Sequence, residues 1–66
     1  MNIILNGKAC ELAGQISITR LLEIQEIAGK RVAVEVNEEI VPRSKHDRHE
    51  LREGDRVEIV RAIGGG

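Results

Sequence analysis

The sequence predicts an α+β fold, a mixed sheet of four to five strands with one helix packed on one face. Three observations lead there. Several short β-branched segments alternate apolar and polar residues with a period of two. Only one stretch, from Ile18 onward, carries apolar residues at helical spacing. And 66 residues suffice for one small domain, which buries only about 60% of its unfolded surface.

The elements follow in order. "MNIIL" is a β-branched opening that runs into Asn6-Gly7, the dipeptide that a type I′ hairpin turn favours because both central positions need positive φ. "KACEL", residues 8–12, alternates as the returning strand of a half-buried hairpin. Ser17 is placed to cap a helix, its hydroxyl accepting an orphan N–H of the next turn. Ile18, Leu21, Leu22 and Gln25 fall at i, i+3, i+4 and i+7, which predicts a helix over residues 18–28, with Gly29 as its C-terminal stop and Lys30 favourable near the negative end. "VAVEV", Val32–Val36, is a strand, and "NEE" turns the chain. Ile40 and Val41 make a short strand that Pro42 stops. "RSKHDRHE" is polar and reads as an irregular or single-turn connection. "REGD" is turn chemistry, and "RVEIVR" is the last strand. We read the order as ββαββ. It fits a β-grasp arrangement over residues 1–62, with the first and last strands side by side at the centre. That adjacency is fold-level analogy and does not follow from periodicity.

Alternation also sorts the two sheet faces. Helix packing claims Ile3, Leu5, Val32, Val34, Val36, Val57 and Ile59. The opposite face then holds Ile4, Ala33 and Val60 with charged Glu35 and Glu58, an apolar cluster bordered by charge. Ile4 and Val60 are therefore the expected partner-docking residues.

Composition narrows the function classes. Ten Lys and Arg against eleven Asp and Glu give a net charge of −1, unlike the basic balance of a nucleic-acid binder. The chain has no Phe, Tyr or Trp, so it lacks the large aromatic rings on which single-strand binders stack bases. The core must be aliphatic, from nine Ile, five Leu and six Val. No apolar run approaches the roughly 20 residues of a membrane span. The N-terminal stretch lacks a signal peptide's pattern, and the single cysteine suits a reducing compartment. These point to a cytoplasmic protein.

Side-chain chemistry offers little. No phosphate-binding loop, GxGxxG, CxxC or HExxH occurs. Cys10 lies in a predicted strand beside Glu11 and reads as a small apolar filler, because a reactive thiol needs an electropositive setting. His46 and His49, near Asp47 and Glu50, supply two zinc ligands at best where three or four are needed, and they read as solvated loop residues. Arg43, Arg48, Arg52 and Arg56 alternate with acids and read as a mixed surface. No catalytic, metal or cofactor-binding residue is expected.

The end of the chain, "VRAIGGG", is different. With glycine near 7% of residues, three in a row arise by chance about once in three thousand positions. Residues 63–66 read as a flexible glycine-rich tail. A Gly-Gly carboxylate has no Cβ near its end, so a narrow enzyme channel can admit it. It is ionised at neutral pH and a poor electrophile until an ATP-dependent enzyme converts it to an acyl-adenylate. A sulfur nucleophile can then displace AMP.

These residues resemble the ThiS family of sulfur carrier proteins in thiamin thiazole synthesis. The likeness rests on "IILNG", "VAVEVNEEIVPR", "LREGDRVEIVRAIGGG" and the total length. "VNEEIVPR" together with "GDRVEIV" and a Gly-Gly end is the specific part. The resemblance implies a ubiquitin-like β-grasp fold. It implies a protein cosubstrate, not an enzyme, whose Gly66 carboxylate is adenylated and converted to a thiocarboxylate. Ile63, Gly64 and Gly65 would enter the partner's active site. The implied partners are an adenylyltransferase of the ubiquitin-activating type, which uses the ATP, thiazole synthase, and indirectly a cysteine desulfurase. The alternatives are a carrier like the molybdopterin-synthase small subunit, a non-catalytic ubiquitin-like interaction module, and a modifier that forms isopeptide bonds.

Overall fold

The computed structural model describes residues 1–61. Its elements are β1 (Asn2–Leu5), β2 (Lys8–Glu11), α1 (Ile18–Ile24), β3 (Val32–Val36), β4 (Glu39–Val41), a 3₁₀ turn (Arg43–Lys45) and β5 (Arg56–Arg61). The five strands form one sheet in the order β2-β1-β5-β3-β4. The short strand expected at Ile40 and Val41 is present as Glu39–Val41 and pairs fully with β3, so the five strands fall in the order ββαβββ instead of ββαββ. β1 and β5 run parallel, with Ile4 opposite Arg56 and Leu5 opposite Val57. The other pairs are antiparallel. First and last strands lie together at the centre with one helix across them, which is the β-grasp fold.

Both hairpins turn through two residues at positive φ. Asn6 (49°) and Gly7 (81°) join β1 to β2, while Asn37 (53°) and Glu38 (70°) join β3 to β4. The asparagines also bind the central strand. Asn6 N–H donates to Val57 O at 2.8 Å, and its Oδ1 accepts from Ile59 N–H at 2.8 Å. On the other side Asn37 N–H donates to Arg56 O at 2.7 Å, and its Oδ1 accepts from Arg56 N–H at 3.0 Å. Asparagine serves here because its short amide tolerates left-handed backbone and still reaches a neighbouring main chain.

The helix begins as the sequence predicts, with Ser17 Oγ accepting from Arg20 N–H at 3.1 Å. The two preceding amides are satisfied from the polar connection. Ile18 N–H donates to His49 O, and Thr19 N–H to His46 O. The far end differs from the expected one. The helix stops at Ile24, four residues before Ala28. Glu26 takes the left-handed conformation at φ 61°. Its N–H donates to Glu23 O, and Ile27 N–H donates to Leu22 O. That pair of bonds is a Schellman stop, which brings Ile27 back onto the core. Gly29 therefore does not cap the helix. It sits in the next turn, closed by Lys30 N–H donating to Ile27 O, and Gln25 is exposed instead of completing the apolar stripe.

The core holds Ile3, Leu12, Ile18, Leu21, Leu22, Val34, Val36, Val41, Leu51 and Val57. Leu5, Val32 and Ile59 pack half-buried against it, so the inward face is the one alternation assigns. Leu51 is completely buried and was not anticipated. It follows a polar run with no periodic partner, and its N–H donates to Ile16 O, beyond the helix start.

Glu38 occupies a left-handed position that a type I′ turn fills best with glycine. Replacing Glu38 by Gly relieves that conformation, and the net gain is about 0.5–1 kcal/mol after the added chain entropy. The urea midpoint of Glu38→Gly should rise; a lower midpoint would mean that the Glu38 side chain itself supports the turn.

Candidate functional site

The candidate site begins with the placement of β5. It is hydrogen-bonded to β3 over its whole length, from Val36–Val57 to Val32–Arg61. On its other edge β1 and Asn6 hold it as far as Ile59. Successive residues of β5 alternate between core and solvent: Val57 is buried and Ile59 half-buried, while Glu58 and Val60 are exposed. This strand leads toward the glycines. Gly66, Gly65, Gly64 and Ile63 lie outside the described residues.

The helix-free face carries the expected docking residues. Ile4 is 39% exposed and Val60 58%. Val60 stands opposite Ala33, and Glu58 opposite Glu35. Ile4 shares a row with Arg56 and with Ala9 of β2. Ile40, 71% exposed, joins the same face as the cross-strand neighbour of Glu35. Ile40 was missed as part of this surface, although parity marks it: Val41 faces the core, so its neighbour faces out. A shallow hollow between Ile4, Arg56 and Glu58 completes the face.

The other candidates fall elsewhere. Cys10 is half-buried on β2 and packs against the core, as a small apolar filler would. His46 is not a solvated loop residue. It is 5% exposed, and its Nε2 donates to Val41 O at 2.9 Å in the tautomer with the proton on that nitrogen. With Thr19 Oγ1 donating to Asp47 Oδ1 at 2.6 Å, it ties the polar connection to the helix start and the end of β4. Sequence pattern could not reveal this, because nothing local distinguishes His46 from the half-buried His49. Among the described residues, no three His, Cys, Asp or Glu side chains come together as a metal site would require. The four arginines do not form one edge. Arg48 and Arg52 share a cleft with Glu39, Glu50 and Asp55. Arg43 donates to Lys30 O, and Arg56 lies on the helix-free face. No helix among the described residues is long and apolar enough to cross a membrane.

Four similarities bear on what this arrangement is for. The sequence model of the ThiS family matches residues 3–66. The sulfur carrier protein ThiS of Escherichia coli is 30% identical over 66 residues, covering both chains completely. A crystal structure of the thiamine biosynthesis protein ThiS from Geobacter metallireducens superposes with a TM-score of 0.87 at 35% identity, again covering all of both chains. A thiazole synthase of Paramagnetospirillum magneticum is 36% identical over the whole of this chain, which spans 20% of that longer protein.

Burial predicts opposite responses to mutation at the two kinds of position. Ile4→Glu and Val60→Glu should leave the circular dichroism folded and shift stability by no more than about 0.5 kcal/mol, as surface changes do. His46→Ala should cost about 2–3 kcal/mol, because it empties a buried site and removes the side-chain hydrogen bond to the Val41 carbonyl. Equal urea midpoints for all three variants would contradict this division.

Proposed function

The chain belongs to the ThiS family, and from that premise we propose that it is a sulfur carrier of thiamin biosynthesis that works through the carboxylate of Gly66. The observation that carries this reading is that the family match runs through the glycine tail to residue 66.

The chemistry follows from a carboxylate that must become an electrophile. An oxygen of the Gly66 carboxylate attacks the α-phosphorus of ATP and expels pyrophosphate, leaving an acyl-adenylate. Hydrosulfide adding to the acyl carbon expels AMP and leaves a thiocarboxylate directly; a persulfide adding there expels AMP and leaves an acyl disulfide, whose S–S bond a thiol then reduces to release the thiocarboxylate. The activating adenylyltransferase supplies the catalytic groups. This chain supplies a rigid handle and an end that fits a narrow channel, since Gly64 and Gly65 present no side chain to its walls. Ile63 would be the last side chain to enter. Thiazole synthase would consume the sulfur, and a cysteine desulfurase would provide it. The chain itself would act as cosubstrate in the cytoplasm, with no bound cofactor and no nucleic-acid or membrane partner.

Service to the thiazole pathway is favoured over molybdopterin synthesis by one specific likeness. A protein named thiazole synthase contains, within its own chain, a stretch 36% identical to all of this one. Rescue of a thiamin auxotroph by this chain would support that assignment, and rescue of a molybdopterin-deficient strain alone would reverse it.

Incubation with ATP, the adenylyltransferase and a sulfur donor should change the intact mass by one sulfur in place of one oxygen. An unchanged mass with active partner enzymes would refute the proposal. Deleting Gly66, or adding one residue after it, should abolish the change while the fold persists. Ile4→Glu and Val60→Glu should each weaken binding to the adenylyltransferase by about ten-fold or more if they sit at the centre of the interface. Unchanged affinity would move the docking surface to another face.

A further inference from the structure

The helix-free face breaks a local rule of sheet design. Glu35 of β3 and Glu58 of β5 are direct cross-strand neighbours, and both point to the side away from the helix. Like charges directly opposite each other on a sheet are destabilising. Yet the two carboxylates occupy adjacent inner strands of the five, and no ion pair joins either to a cation among the described residues. Arg56 borders the same hollow as Glu58 but forms no ion pair with it. Around the two acids stand exposed aliphatics. Val60 and Ala33 form the next row toward the end of β5, Ile40 lies beside Glu35, and Ile4 lies across the hollow from Glu58.

We propose that this face docks a protein surface that presents an arginine, whose guanidinium sits between Glu35 and Glu58 while aliphatic residues around it cover Ile4, Ala33, Ile40 and Val60. The proposal rests on the carrier reading, and the protein that carries the arginine is the adenylyltransferase. Charge complementarity selects the cation: two adjacent carboxylates match a planar fork of five donors better than the point charge of a lysine. The aliphatic surround excludes water, and that strengthens the ion pair beyond its value on an open surface. Chain length selects the partner. From Val60 on the face, six residues lead to Gly66, which reach about 20 Å when extended. A protein seated over the carboxylates is thus within reach of the end it must modify. A second copy of this chain fits poorly, because its own helix-free face would bring a second pair of carboxylates. A metal ion fits poorly as well, since among the described residues no third His, Cys, Asp or Glu donor joins the pair.

The test uses the full chain, the variant Glu35→Gln/Glu58→Gln and the adenylyltransferase. Affinity is measured by titration calorimetry at low and high salt, with urea denaturation alongside. The variant should be at least as stable as the parent chain, because repulsion is removed. It should also bind at least ten-fold more weakly and lose most of the salt dependence. Equal affinity for parent and variant would overturn the proposal, as would failure of the parent chain to bind, or a self-association of the parent that the variant strengthens. Sulfur transfer to Gly66, followed separately by intact mass, distinguishes this failure from failure of the carrier reading. Transfer with unchanged variant affinity refutes only the arginine, and weakened binding without any transfer refutes only the carrier chemistry.

Discussion

Everything in this molecule depends on a pairing that the chain cannot make locally. β5 must reach across to β1, and the bond from Ile59 N–H to Asn6 Oδ1 closes 53 residues of chain. Closing so long a loop costs entropy before any contact offsets it. The fold meets this cost by holding β5 from both sides. β3 pairs with it along its whole length, β1 pairs with it at Ile4 and Leu5, and the two hairpin asparagines add bonds at their ends. Each asparagine does two jobs at one position. It takes the left-handed backbone that turns its own hairpin, and its amide completes the hydrogen bonding of the strand next door. The two hairpins and the last strand are therefore a single cooperative unit.

That unit explains how so small a chain can be a handle. With a core of aliphatic side chains and a single cysteine in the chain, the sheet relies on complete burial of a few Leu, Ile and Val side chains. The polar connection contributes through its backbone. It satisfies the helix amides at Ile18 and Thr19, turns His46 onto the Val41 carbonyl, and carries Leu51 into the core. The sheet's other face is consequently free of structural duty. Exposed aliphatics and an uncompensated acidic pair persist there at some expense of stability, as local rules are broken where function needs them.

Much of this was legible in the sequence, for reasons particular to each element. Asn6-Gly7 and Ser17 signal through their own short-range chemistry, so their turn and cap appear where expected. The alternation in Val32–Val36 and Arg56–Arg61 sorts core from surface because a strand's period is independent of its partners. The helix end was less legible. Glu26 adopts a conformation that glycine favours, and Gly29 just beyond drew the expected stop four residues too far. Tertiary packing of Ile27 decides the earlier stop. His46 and Leu51 were illegible for a related reason: both owe their burial to segments distant in sequence, and their neighbours carry no periodic signal. Ile40 was readable in principle, through the parity of β4.

The sequence by itself determined the fold class, the hairpin turns, the helix start, the division of the sheet into two faces and the likeness to the ThiS family, because each rests on short-range periodicity, turn chemistry or a run of matching residues. Only the tertiary structure decided that Glu35 faces Glu58, that Ile40 joins Ile4 and Val60, that two asparagines clamp β5, and that His46 lies in the core. Those relations are set by strand register and by long-range closure, and register is fixed only when β1, β3 and β5 meet to bury one common core.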